Sequence, residues 1–489
     1  MSTLRTTPSP AATASPGAPP VGRVGWWPLL VIASAHLMAV IDTTVMFVAL
    51  PSVQRGLSMT VTDRQWVVTA YTVTLAGLLL PAGRLADRLG ARRTLLIGVA
   101  GFACASAIGG ASVDGAMIIS ARAVQGAFAA ILISSTKSLL ITIYSDEDQR
   151  ARAMGFFTAT LTAGMAVGLV LGGVLTSGLG WRWCLYVNVI LSVIPLVAGP
   201  RVLPALAGRQ DVRFDLPSVL LSIVGTGGLV YGLGEASSLG WSSRQIVTSL
   251  VASLVSLSWF VARQIGKPQP LLPLRVVADR NRGWSMIGLI VNGLSTFGMM
   301  LILTYQLQAV MGYSAMRTGL ALIPFAIAAA AGSAVIAPRL MVRVPPRWLI
   351  AASVVVEAAG LVPLVCLTPS SHYLPLVLAA TVIEGLGTGV AGPATLNTAL
   401  GGVLSSDRGA AGAGTSAAGQ LGSSIGAALL NTIAATATAS YLAAHAGASR
   451  VTATVHGFTV AMIWGAAITL VAAAAIAFLV NARTPGARW

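Results

Sequence analysis

From residue 26 onward the chain alternates between long apolar runs and short polar connectors rich in arginine. A helix needs about 20 mostly apolar residues to cross the hydrocarbon of a bilayer. Fourteen runs approach or exceed that length, at 26–50, 66–83, 94–113, 117–143, 155–178, 183–203, 216–235, 246–265, 284–308, 318–338, 348–367, 374–397, 415–440 and 457–480. The runs do not alternate with period two, so helices rather than barrel strands must satisfy the backbone in lipid. Residues 1–25, rich in Pro, Ala, Ser and Thr, lack apolar patterning and read as a disordered cytoplasmic tail, with 481–489 as a second one. The first apolar run is too long for a signal peptide, holds Asp42 and is followed by many more.

The connectors give an orientation. Counting alternate loops and both termini, 22 of the 30 Lys and Arg residues fall on one side, six on the other, and two within the fourth segment. That bias places both termini in the cytoplasm, and it favours an even number of segments. A weak repeat adds an organisation: GRLADRLGARR at 83–93 follows segment 2, and APRLMVRVPPRW at 337–348 follows segment 10 as a degraded echo. The offset divides the chain into a six-helix half at 26–203, a linker with two inserted helices at 204–283, and a second six-helix half at 284–480. Halves of this kind characterise secondary transporters, with substrate bound between them near the midplane. The expected fold is therefore an all-α polytopic membrane protein of 14 transmembrane helices.

Composition agrees and narrows the class. Of 489 residues, 55% are apolar and only 9% charged, against about 25% charged in soluble domains. Too few polar side chains exist to cover soluble domains, which excludes a soluble enzyme, a disordered chain and a secreted disulfide scaffold. The net charge of +16 sits in inter-segment connectors and has no basic helix with interleaved aromatics, so it orients the chain rather than binding nucleic acid. Cys104, Cys184 and Cys366 are too dispersed for a metal site or disulfide framework and read as core thiols. No GxxxxGK[ST] loop occurs, which argues against ATP as the energy source. The 28 Arg against 2 Lys, with abundant Ala, suggests a high-GC bacterial genome.

Several strings, in this order and spacing, resemble the fourteen-helix drug:proton antiporter group of the major facilitator superfamily: IDTTVMFVALP at 41–51, GRLADRLGARR at 83–93, RAVQG at 122–126, GMAVGLVLGG at 164–173, WRWCLYVNVI at 181–190, YQLQAVMGYSAMRTGLALIP at 305–324 and GQLGSSIGAAL at 419–429. The likeness covers nearly all of 26–480. It implies a proton-coupled exporter of a small amphipathic compound, plausibly an antibiotic, acting as a monomer with the proton as coupling ion and no cofactor. A metabolite importer or exchanger on the same scaffold, or a membrane receptor that does not transport, are the alternatives. An enzyme is disfavoured, since no metal cluster or nucleophile–base motif is present.

The candidate chemistry lies in the ionisable residues of the apolar segments. A charge at the membrane centre costs several kcal/mol, so Asp42 in segment 1 suits a group that takes up and releases a proton as access alternates, or one that meets substrate in a cavity with Gln125. The alternative is a structural hydrogen bond to Thr43, Thr44 or a neighbouring helix. Arg122 in segment 4 stands at comparable depth and can promote that release, with Gln125 one turn on and Gly126 allowing close helix approach. The resemblance gives Asp42 and Arg122 the proton-coupling role, while Phe47 replaces an asparagine frequent in the family. Lys137 lies fifteen residues after Arg122, about 60° round the helix. It is either a counter-charge for an acidic substrate or a lysine snorkelling to the headgroups. Glu384 in segment 12 is the next candidate for cavity contact. The resemblance implies a peripheral place for segment 11, so Glu357 there is expected as half of a structural pair. Glu235 reads as a solvated helix end, and His36 as a hydrogen-bonded packing residue or proton shuttle.

Two glycine patterns complete the reading. Gly164, Gly168 and Gly172, with Gly173 beside them, form a stripe for close helix packing. The resemblance makes that stripe the antiporter motif, with Leu169 in place of its usual proline. In the cytoplasmic motif, Gly83 and Gly90 permit turns, while Asp87 can cap the next helix or pair with Arg92 or Arg93 near Arg88. Such a network would hold one conformation and break in the other, as a gate.

Overall fold

The computed structural model describes residues 25–144, 147–205, 208, 215–267, 270–272, 274–401, 403 and 408–481. Both predicted tails, most of the linker at 204–215 and part of the stretch 266–283 lie outside the described residues. Everything regular within them is helical. The helices are α1 (Trp26–Gly56), α2 (Val61–Leu89), α3 (Ala91–Gly110), α4 (Gly115–Ile143), α5 (Glu147–Gly178), α6 (Trp183–Val202), α7 (Leu216–Leu239), α8 (Arg244–Gln264), the single turn α9 (Leu274–Val277), α10 (Arg280–Tyr305), α11 (Ala315–Ala321), α12 (Ile323–Ala331), α13 (Ala337–Met341), α14 (Pro346–Val365), α15 (Leu378–Leu400), α16 (Arg408–Ala444) and α17 (Arg450–Leu479).

Thirteen spans among the described residues are long and apolar enough to cross a membrane. The remaining predicted segment lies in α5, whose apolar run in the described set is Val167–Gly178. The chain is thus a multi-pass membrane protein.

Several helices outrun the apolar segments that predicted them, because polar ends stay helical once capped. α2 starts at Val61 rather than 66, held by a capping box in which Asp63 N–H donates to Thr60 Oγ1 (3.1 Å) and Thr60 N–H to Asp63 Oδ2 (3.2 Å). Its other end carries through Gly83 to Leu89. Gly83 is therefore helical and makes no turn, contrary to expectation. Gly90 does, with φ of +87° between α2 and α3, a region glycine reaches without steric penalty. The predicted segment 318–338 lies in one span, Ala315–Met341, whose helix is interrupted into α11, α12 and α13. Pro324 opens α12, and a π-helical turn at Gly332–Ile336 precedes Pro338 of α13. A proline inside a continuous helix would lose a hydrogen bond and clash with the preceding turn.

Packing separates two groups. Within the first, α2 and α3 pack on α4, α1 on α5 and α6, and α3 on α6; within the second, α10 packs on α16, α14 on α15 and α17, and α12 on α15. The α7–α8 hairpin lies against α2 and α16. The glycine stripe of α5 faces α1: an added Cβ on Gly164 would meet Leu37, on Gly168 Thr44, and on Gly172 the backbone of Val45. Gly173 looks the other way, where a Cβ would lie 2.7 Å from the Met316 Cα of α11. Cys184 is buried, but Cys104 and Cys366 are exposed, so the expectation of three core thiols fails for two. Cys104 stands on an outward face of α3 and Cys366 just past the end of α14.

Candidate functional site

Four helices bring one polar cluster into the middle of the first group. α1 supplies Asp42, α3 Ser106, α4 Arg122 and Gln125, and α6 Asn188, each almost completely buried. Arg122 Nη1 donates to Asp42 Oδ2 at 2.6 Å and to Gln125 Oε1 at 2.6 Å. Asp42 Oδ1 accepts from Gln125 Nε2 at 2.8 Å and from Asn188 Nδ2 at 2.7 Å. Arg122 Nε donates to the Val67 carbonyl at 3.1 Å, its guanidinium lies 4.3 Å above the Tyr71 ring, and Gln125 Nε2 also reaches Ser106 Oγ at 2.7 Å.

Three donors surround the Asp42 carboxyl, one of them the Arg122 cation, in a bundle where a bare charge would be expensive. Close helix approach makes this possible: a Cβ on Gly126 would fall 2.2 Å from the Tyr71 carbonyl, so α2 and α4 meet backbone to backbone there. Asn188 and Ser106 were not among the expected site residues. Asn188 stands in the quoted string WRWCLYVNVI, and a lone amide in an apolar run was the available signal.

The second group carries its own polar cluster. Glu357 of α14 and Glu384 of α15 are fully buried. Asn292 of α10 donates to Glu357 Oε1 at 2.6 Å, and Ser295 to Glu384 Oε1 at 3.0 Å. Thr296 joins Glu384 at 3.4 Å and Thr388 at 2.8 Å. Glu357, expected on the periphery, thus turns into the same α10–α14–α15 junction as Glu384. The reason is the close crossing of α14 and α15, where a Cβ on Gly387 would meet the Glu357 backbone.

The other expected residues fall as follows. Lys137 Nζ donates to Ser416 Oγ of α16, tying α4 to the second group. His36 Nδ1 is 3.1 Å from Thr136 Oγ1, and its ring packs edge-on against Phe157. Glu235 is not a solvated end; it is 8% exposed and accepts from Trp66 Nε1 at 2.6 Å. Phe47 meets Phe297 of α10 edge-on, with ring centroids 5.5 Å apart. Leu169 is buried, and its carbonyl would lie 2.3 Å from a Cβ on Gly319 of α11. In the loop motif, Arg92 Nη1 donates to the carbonyls of Pro200 and Leu203, linking α3 to the end of α6. Gly90, which opens α3, offers no side-chain cap. Asp87 and Arg88 each engage a partner of their own.

Contacts between the two groups gather toward the end of the bundle where α1 finishes. There Gln308 Nε2 donates to the Val48 carbonyl (3.0 Å), Asn431 Nδ2 to Gln65 Oε1 (2.9 Å), and the Arg64 guanidinium stacks 3.9 Å from the Tyr305 ring. Met316 N–H reaches Ser177 Oγ at 3.3 Å nearby. Sequence reasoning misses these residues, because neutral amides and a loop-adjacent arginine carry no one-dimensional mark of facing another helix.

The fold and both clusters can now be set beside known proteins. The family model of the Major Facilitator Superfamily matches residues 32–429. The chain belongs to the Major Facilitator Superfamily. As a member, it is 42% identical to the puromycin resistance protein pur8 of Streptomyces alboniger, over 94% of this chain and 92% of that one. It is 37% identical to the cephamycin export protein CmcT of Amycolatopsis lactamdurans, over 78% and 79%. The multidrug efflux pump LfrA of Mycolicibacterium smegmatis is 31% identical over 79% and 76%. Among solved structures, a bacterial homologue of the human lysosomal transporter Spinster, in an inward-facing and unoccupied conformation, matches at a TM-score of 0.63 and 16% identity, covering 93% of this chain and 96% of that one. That likeness is one of fold.

Proposed function

We propose that this superfamily member is a proton-coupled efflux transporter that exports a small amphipathic compound, an antibiotic or other drug, from a bacterial cell. The observation that carries the reading is the buried Asp42–Arg122 pair, clasped by Gln125 and Asn188. Similarity to proteins named for antibiotic resistance and export supports it. In this reading fourteen helices span the cell membrane with both termini cytoplasmic, two six-helix halves move against each other, and the α7–α8 pair is the insertion.

The chemistry follows from the geometry. A proton binding at Asp42 Oδ2 cancels the charge that Arg122 neutralises, so the 2.6 Å ion pair loses its attraction and α1 and α4 are free to shift. Arg122 then keeps Gln125, the Val67 carbonyl and the Tyr71 ring as partners but has lost its counter-charge, which makes the protonated state the less stable one. Deprotonation toward the other side restores the pair. Each charge that crosses the membrane supplies about 2.3 kcal/mol per 100 mV. The contacts among Gln308, Val48, Gln65, Asn431, Arg64 and Tyr305 form the outer seal in this state, and Gly90, Asp87, Arg88, Arg92 and Arg93 belong to the cytoplasmic gate. Lys137, at the contact with Ser416, stands where a substrate passing between α4 and α16 would meet a positive charge.

Inverted membrane vesicles with an acid interior, and a dye reporting the gradient, provide the test. Adding puromycin, a cephamycin or a lipophilic cation should dissipate the gradient in wild type and leave it intact in Asp42→Asn, measured per folded protein. Drug uptake with no change in the gradient would remove the proton from the mechanism.

A further inference from the structure

Asp42 has its own cation, but the two carboxyls of the second group have none. Neither Glu357 nor Glu384 has an ion-pair partner among the described residues. In each, Oε1 accepts a hydrogen bond while Oε2 is buried with no partner among the described residues. The two are neighbours by construction. A Cβ on Gly360, three residues past Glu357, would lie 2.6 Å from the Glu384 backbone nitrogen; one on Gly387, three past Glu384, would lie 2.6 Å from that of Glu357. This reciprocal pair of glycines presses α14 against α15 and sets the glutamates on both sides of one crossing, where their charges act on each other.

The ionisable residues of the surrounding helices do not relieve them. On α10 they are Arg280, Arg282 and Tyr305, at its two ends, and Arg339 belongs to the short α13. Arg347 opens α14 ten residues before Glu357, about 15 Å along the axis. Arg408 opens α16 and Arg450 opens α17, and Tyr373 precedes α15. Tyr441 stacks with His445 and His456. Two carboxylates at a buried junction with no cation among the described residues would leave uncompensated charge and unpaired oxygens, each costing several kcal/mol.

We propose that the Glu357–Glu384 pair is a second proton-binding site, separate from Asp42–Arg122. The bound proton makes one carboxyl a neutral acid and lowers the charge of the pair by one; the only bond formed is O–H. A route to it exists in the half-buried Thr388, whose hydroxyl bonds Thr296 at 2.8 Å, with Thr296 in turn on Glu384 Oε1. The site also reaches the other group: Asn292 and Thr296 share α10 with Phe297, which packs on Phe47 five residues from Asp42. Its use in export rests on the proton-coupled reading above, whereas proton binding itself does not.

Infrared spectroscopy on the purified full chain in nanodiscs, without drug or gradient, tests the binding directly. At neutral pH the wild type should show a protonated-carboxyl C=O band that shifts in deuterium oxide. Glu357→Gln and Glu384→Gln should each weaken it, the double variant should abolish it, and Asp42→Asn should keep it. Should the double variant fail to insert, the single exchanges, nearly isosteric, decide the same question. A wild type without the band, or a band indifferent to these exchanges, overturns the proposal. Loss of the band on adding sodium chloride at constant ionic strength would make the pair a sodium site and overturn it as well. A persistent band in a protein whose drug export ignores the proton gradient would leave the pair standing and refute the transport reading instead.

Discussion

Each helix group buries one polar cluster, and the two solve the cost of burying a carboxyl differently. In the first, one aspartate meets one arginine, and two amides fill the remaining lone pairs, so charge and hydrogen bonds balance. In the second, two glutamates share hydroxyls and one amide, and no cation stands near. A balanced pair can hold its charge in the membrane and switch when a proton arrives. An unbalanced pair rests with the proton already bound. In the proposed reading one scaffold offers a proton release site and a proton store, with α1 and α10 in contact between them at Phe47 and Phe297.

The comparison breaks most readily at the charge-balanced site. Asp42→Asn keeps the shape but strands Arg122, and Arg122→Met strands Asp42. Each should cost about 3–5 kcal/mol, read as a large drop in the thermal midpoint of the detergent-purified protein. Glu384→Gln or Glu357→Gln should change stability by no more than about 1 kcal/mol, since each removes no attraction to a cation. A loss at Glu384 equal to that at Asp42 would end the contrast. Gly360→Ala sharpens it sterically: the new methyl meets the Glu384 backbone, an overpacking worth about 1–3 kcal/mol. Gly392→Ala in the adjoining helix meets nothing within 4 Å and should be neutral or mildly stabilising.

Among the carboxyls the smallest effect is expected at a part-buried one outside both clusters. Asp215, ahead of α7, accepts from Ser218 of α7, Arg263 of α8 and Lys267 just past the end of α8. Burial alone would raise its pKa, but the Lys267, Ser218 and Arg263 hydrogen bonds and the Lys267 charge hold it at about 2. Asp215→Asn should cost no more than about 1 kcal/mol because solvent screens these pairs. The folded value lies below the unfolded one near about 3.9. The difference from wild type should therefore be complete above about pH 4 and vanish as pH falls through about 2, in pH-dependent unfolding curves.

The helices were legible because hydrocarbon demands long apolar runs, a one-dimensional property that survives without neighbours. Asp42, Arg122 and Gln125 were legible for the same reason: ionisable and amide groups in such runs are costly and stand out. The misreadings share a cause too. Glu235 lies near a helix end, which suggests water, yet Trp66 from α2 covers it. Glu357 sits on a segment expected at the periphery, yet Gly387 of α15 lets its neighbour close enough to turn it inward. Asn188, Asn292 and Thr388 carry no charge to announce them.

The sequence by itself determined that the chain is a helical membrane protein, which runs cross the bilayer, and which few residues are too polar to be there by chance. Only the tertiary structure decided how those residues are paired. Pairing depends on distances between helices far apart in the chain, set by glycine contacts and side-chain volume, which no local pattern encodes. That is why Asp42 received a cation and the two glutamates received each other.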